Sequence, residues 1–152
     1  AMEKVRAILD AESDFKRALS DFYAGRLAQA HELFVKCAER VPEEAEFAAY
    51  AGYTTWRIFT GRDEIRAEAG GQRLMDTVQN SEKLDAGWVL VGLMQRSRGD
   101  EQTARQSFIN ALKIKPSNPD ALRELKRLEA KKQSAPTDVM GGFFGKFFGK
   151  KK

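Results

Sequence analysis

Apolar residues recur along this chain at helical spacing and nowhere alternate as they would in a strand. In residues 3–24 they fall at Val5, Ile8 and Leu9, then at Phe15, Ala18, Leu19 and Phe22, which predicts one long helix or two abutting ones ended by Gly25. Leu27 to Arg40 forms a returning helix stopped by Pro42, because proline has no amide hydrogen to donate to a helix interior. A third helix is predicted over roughly 43–60, with aromatics at Phe47, Tyr50, Tyr53, Trp56 and Phe59, and a fourth from about Asp63 to Asn80. The pattern continues from Trp88 to Leu93 and from Ala104 to Ile114, with Gly99-Asp100 as the turn between them. Asn118-Pro119-Asp120 then starts a last helix, with a cap and a proline at its first position, and Leu122, Leu125 and Leu128 form its stripe.

These hairpins are copies of one unit. Ala18 and Gly92, Gly25 and Gly99, Ala30 and Ala104, Phe34 and Phe108, Cys37 and Ala111, Pro42 and Pro116 all stand 74 residues apart. A middle copy is visible from both ends. Gly52 lies 34 residues after Ala18, while Gly70, Leu74 and Thr77 lie 34 before Ala104, Phe108 and Ala111. About six extra residues therefore fall between Gly52 and Gly70, near Gly61.

Within the stretch Asp85 to Pro119 stand Trp88, Val91 and Gly92, then Ala104 with Phe108 four residues on, then Pro116. This resembles the W-x₂-L-G-x₂-Y, A-x₃-F, P pattern of the tetratricopeptide repeat, and departs from it at Val91 and at Gln95, where the pattern has Tyr. Small residues at Gly92 and Ala104 let two helices approach, and Trp88 and Phe108 fill the space beside them. The resemblance implies an all-α fold: a right-handed superhelix of three hairpins, with a C-terminal capping helix and an amphipathic tail. The domain is expected over 3–132, with repeats at about 11–42, 45–82 and 85–118 and the cap at 118–132, which covers the open edge of the last repeat. A linker at 133–138 and a tail at 139–152 follow.

Charge and cysteine usage narrow the function. Residues 131–152 hold six lysines against Asp138, a net of +5, which leaves −1 for the remainder of a chain whose net charge is +4. The basic character belongs to the tail, and a near-neutral body argues against nucleic acid as a partner. No apolar run approaches the ~20 residues of a spanning helix and no secretory leader is visible, so the expectation is cytoplasmic, with contact at the inner membrane surface open through the tail. The single cysteine, Cys37, occupies a small buried repeat position and is expected to be structural. His31, the one histidine, is expected at the surface, off the face of Cys37, and no metal-ligand or phosphate-loop spacing occurs. No catalytic role, metal or cofactor is expected.

The resemblance implies a binding array in which the first helix of each hairpin lines a concave groove. Mapped onto this chain, the groove positions are Phe15, Leu19, Phe22 and Tyr23, then Tyr50, Tyr53, Trp56 and Arg57, then Leu93 and Arg96, some of which must be core. Family members that grip an acidic chaperone C-terminus use Lys, Arg and Asn where Phe15, Leu19, Val89 and Leu93 stand. An apolar or amphipathic peptide is therefore the expected ligand, with aromatics as anchors and Arg57 and Arg96 setting its orientation.

The end of the chain, VMGGFFGKFFGKKK, places Phe143 with Phe147 and Phe144 with Phe148 at four-residue spacing. Three readings stay open: an interfacial membrane anchor, a peptide that docks in a groove of this or another copy, and an end with no role. Docking between copies would give head-to-tail self-association. The run AILDAESDFKRALSDFYAGRLAQAHELF, with PEEAEFAAYAGY, PSNPDALRELKRLE and the Phe-Gly-Lys ending, also resembles the repeat region downstream of a J domain in bacterial DnaJ-like proteins. That resemblance implies the client- or partner-binding part of a co-chaperone. The alternative is an adaptor that recruits a partner to the membrane surface through its tail.

Overall fold

The computed structural model describes residues 1–134. Seven helices account for nearly all of them: α1 (Met2–Tyr23), α2 (Leu27–Arg40), α3 (Ala45–Phe59), α4 (Glu64–Gln79), α5 (Asp85–Ser97), α6 (Glu101–Ile114) and α7 (Pro119–Ser134). No strand occurs among the described residues. Helices α1 and α2, α3 and α4, and α5 and α6 pair as hairpins, successive hairpins stack through α2 on α3 and α4 on α5, and α7 closes the stack against α6. The first 22 residues of helical pattern form one helix.

Each hairpin turns at a glycine in the left-handed region: Gly25 at φ +85°, Gly61 at +83° and Gly99 at +87°. An L side chain is strained there, so the three equivalent turns share one residue type. Side chains start three of the helices. Asp63 accepts from the Arg66 amide at 3.2 Å, Asp100 from the Thr103 amide at 3.2 Å, and Asn118 from the Ala121 amide at 2.9 Å. The Asn118 side-chain amide also donates to Asp85 at 2.8 Å, which ties the start of α7 to the start of α5.

The extra residues of the middle repeat lengthen its helices. α3 and α4 have 15 and 16 residues where α5 and α6 have 13 and 14. Its two helices also approach closely. A Cβ on Gly70 would lie 2.7 Å from the Gly52 carbonyl oxygen, and one on Gly52 would lie 2.8 Å from that of Gly70. At Gly92 the place of the missing side chain is taken by the ring of Phe108. Phe34, Leu74 and Phe108, equivalent in the three repeats, are among the largest side chains that are fully buried.

Two single residues behave differently from each other. Cys37 is fully buried and its thiol donates to the Ala11 carbonyl at 3.2 Å; burial, and then Asp14, push its pKa up, which keeps it in the unreactive thiol form. His31 is half-buried, a correction to the surface position expected for it. Because α2 stacks on α3, the position after Ala30 meets the next repeat, and His31 Nδ1 lies 2.9 Å from Thr54 Oγ1. The Thr54 hydroxyl donates to the Tyr50 carbonyl at 2.9 Å, so it accepts from His31 Nδ1–H. Burial, and then Arg66, lower the pKa of the imidazole.

Candidate interaction groove

The first helices α1, α3 and α5 form one side of the molecule, and the aromatic residues on α1 and α3 make a continuous cluster of rings. Phe15 lies 4.9 Å from Phe47 and 5.6 Å from Tyr50, Phe22 lies 5.6 Å from Tyr50 and 5.9 Å from Tyr53, and Tyr53 lies 5.7 Å from Trp56. Phe34 of α2 stacks on Tyr50 at 4.8 Å from behind. Most of these contacts are tilted or edge-on, the geometry that the ring quadrupoles favour, and such pairs contribute ~0.5–1.5 kcal/mol each beyond their burial.

Burial sorts the groove positions. Tyr50, Tyr53 and Trp56 are only 5, 3 and 6% exposed, so their rings are core. The physical reason is that α3 packs on both α2 and α5, which surrounds its inward face, while Phe22 lies over the two tyrosines. Phe15, Leu19, Phe22 and Leu93 are half-buried against that core. Tyr23, at 59%, and Arg57 stand exposed on the rim. Arg96 is not a free cation: it is paired with Glu124 of α7, a carboxylate that is itself buried and also accepts from Arg127 at 3.2 Å.

The fourth wall of the groove comes from α7. Leu128 is buried beside Phe108 and Leu125 packs against the same cluster, whereas Leu122, expected on the same stripe, is exposed because the buried face of α7 runs through Ala121 and Glu124 instead; Asp120, Arg123 and Arg127 flank it on the groove side. Asp120 pairs with Arg123 and accepts a hydrogen bond of 2.8 Å from the Tyr23 hydroxyl, 97 residues earlier. A cavity of about 40 Å³ remains beneath, walled by Phe22, Tyr50, Val89, Leu90 and Leu93 and by the acidic and basic groups of α7. Sequence reasoning missed this wall. Its signal was present, as four charged residues at three- and four-residue spacing opposite a leucine stripe, but the helix was read only as a cap.

The tyrosines respond to these surroundings. Burial, and then the hydrogen bond to Asp120, raise the Tyr23 pKa. Tyr50 is pushed well up, by burial first and by Tyr23 second. Burial also raises Tyr53, against an opposing pull from Arg57 and Arg96. All three phenols are neutral donors at neutral pH.

Around the corner from the groove, a cleft of about 450 Å³ opens where α3, α4 and α5 meet, lined by Trp56, Arg57, Glu64, Glu68 and Arg98 among others. Arg98 lies over the Trp56 ring at 5.5 Å and within 3.5 Å of Glu68, so the charges there are largely matched. No helix among the described residues is long and apolar enough to cross a membrane, and no group of three His, Cys, Asp or Glu suited to a metal ion occurs among them. The docking positions Phe143, Phe144, Phe147 and Phe148 lie outside the described residues.

Comparison of the chain with protein-family models and with curated proteins gave no match. Among solved structures it is similar to the first TPR domain of Spaghetti (RPAP3) bound to the HSP90 peptide SRMEEVD, with a TM-score of 0.53 and 14% identity over 82% of this chain and 94% of that one. A likeness at that identity concerns the fold, and the fold of this chain is that of a tetratricopeptide array, seven helices stacked as three hairpins and a cap.

Proposed function

We propose that this chain is a non-catalytic protein-protein interaction module whose groove takes an apolar or amphipathic peptide. The observation that carries this reading is the partly exposed apolar face of Phe15, Leu19, Phe22 and Leu93 laid over an aromatic core, with the exposed Tyr23 and Arg57 on its rim. The apolar residues Phe15, Leu19, Val89 and Leu93 stand where a grip on an acidic peptide would need cations, and Glu124 neutralises Arg96. The neighbouring structure holds an acidic peptide, SRMEEVD; this groove, whose acids are already paired, suits an amphipathic ligand with aromatic or aliphatic anchors instead.

The segment 139–152 of the chain has that chemistry, with four phenylalanines and four lysines. Its role as a docking element, within one copy or between copies, is part of the proposal. Fluorescence polarisation of a labelled peptide of residues 139–152, titrated with the chain that lacks them, tests it. Saturable binding is expected, weakened about 30-fold by Phe15→Ala if its half-buried ring is an anchor worth ~2 kcal/mol, with SRMEEVD much weaker. No saturable binding of the Phe/Lys peptide, or tighter binding of SRMEEVD, rejects the reading. The finer placement as the client- or partner-binding arm of a J-domain co-chaperone is supported by the resemblance of the runs at 7–34 and 116–129, and the presence of an HPD-containing domain in the same gene product is its test.

A further inference from the structure

Tyr23 is the last residue of α1 and is more than half exposed, so burial alone does not hold its ring. Polar and ring contacts do: an edge-on approach to Phe22 at 5.5 Å, the hydroxyl's hydrogen bond to Asp120 in the first turn of α7, and its interaction with the Tyr50 hydroxyl. α1 is packed on α2 and α7 on α6, so this bond reaches across the mouth of the groove between two helices anchored elsewhere. Behind it lies the small cavity walled by Phe22, Val89 and Leu93. Asp120 is also held by Arg123, so the carboxylate keeps a partner when the phenol leaves.

The geometry points to the Tyr23–Asp120 bond as a latch that holds the groove shut. In the closed form the space above Val89 and Leu93 is sealed by the Tyr23 ring and the first turn of α7. In the open form the phenol has left Asp120, the ring has swung out on the end of α1, and a side chain of an incoming peptide enters beside Phe22. A ligand that enters only the open form binds with an apparent affinity reduced by the fraction open, so the latch lowers the affinity of the groove as a whole. That consequence for ligands rests on the proposed peptide-binding function; the latch itself does not.

Thiol labelling of the full chain measures the opening. Val89, 6% exposed and lining the cavity, is changed by Val89→Cys, and the fully buried Cys37 in the first hairpin serves as an internal report on global unfolding. Tyr23→Phe keeps the ring and its contact with Phe22 and removes only the hydroxyl. Loss of one hydrogen bond to a charged group raises the open fraction about tenfold, so labelling at position 89 is expected to speed up by that factor while Cys37 is unchanged. Asp120→Ala should act in the same direction. Equal labelling rates at position 89 with and without the Tyr23 hydroxyl overturn the latch, and so does a parallel rise at both thiols, which would mean general destabilisation. Faster labelling at position 89 alone, together with no binding of the 139–152 peptide to any variant, upholds the latch and rejects the peptide-binding reading.

Discussion

Gly52 of α3 and Gly70 of α4 face each other so closely that a methyl group on either would stand under 3 Å from the other's carbonyl oxygen. Two helix backbones meet there with nothing between them, which is why the pairing of α3 with α4 tolerates no side chain. Gly70 would also press on the Thr55 side chain and the Trp56 amide, each at 2.8 Å, so a new atom has no direction in which to relax. Gly70→Ala is expected to lower stability by ~1–3 kcal/mol through overpacking, despite the better helix propensity of Ala. The urea midpoint of unfolding, compared with that of Gln72→Ala two residues on and on the exposed face, measures it; an unchanged midpoint would show that the hairpin can open without cost.

Tyr53 and Trp56 supply a second expectation. Both are nearly buried, so replacing either by Ala removes a large aromatic side chain and leaves a cavity, at a cost of ~3–5 kcal/mol. Thermal melts should show the loss directly. If instead both variants keep the parental melting temperature and lose only peptide binding, the rings are ligand anchors and not core.

Glu124 is a buried carboxylate held by Arg96 from α5 and Arg127 from its own helix. Removing it leaves Arg96 facing the groove without its counter-charge, while removing Arg96 leaves a buried charge without its main partner. Because Arg96 is one-third exposed, solvent screens part of the loss, and Glu124→Ala is expected to cost ~1–3 kcal/mol rather than the full figure for a buried pair. A double-mutant cycle with Arg96→Ala should return a coupling energy of ~1 kcal/mol or more. Additive effects of the two substitutions would contradict the pairing.

His31 gives a pH dependence with a definite sign. Its pKa is lowered in the folded chain, so between the folded value and the unfolded value of about 6.5 the unfolded chain binds more protons. The associated stability is fully present above the unfolded pKa and is lost as pH falls through 6.5 toward the folded value. As the one histidine, His31 has a single imidazole signal to follow by NMR. That signal should titrate below 6.5, and Thr54→Val, which removes the hydroxyl that accepts from Nδ1–H, should weaken the stack of α2 on α3. A titration midpoint at or above 6.5 would contradict the burial of the ring.

The hairpins were legible in the residues themselves because local spacing determines them. Apolar positions at helical intervals, Gly25, Gly61 and Gly99 at the turns, and the 74-residue offset between Phe34 and Phe108 all act within one repeat or between identical repeats. The same holds for Gly52 and Gly70, whose smallness announces close contact.

What only the tertiary structure decided is which atoms of the first helices reach solvent and what lies opposite them. Groove and core positions alternate at steps of about 100° around one helix, and in α3 both kinds are aromatic, so residue type cannot separate an anchor from a core ring. Tyr50, Tyr53 and Trp56 became core because α2 and α5 flank α3 and Phe22 covers it, which no single helix specifies. Tyr23 meets Asp120 across 97 residues, and Arg96 meets Glu124 across 28, because small rotations between stacked hairpins accumulate until the cap faces the first helix. Local sequence therefore determined the parts of the array, and the summed geometry of their stacking determined which of their rings became core and which side chains meet across it, Tyr23 with Asp120 among them.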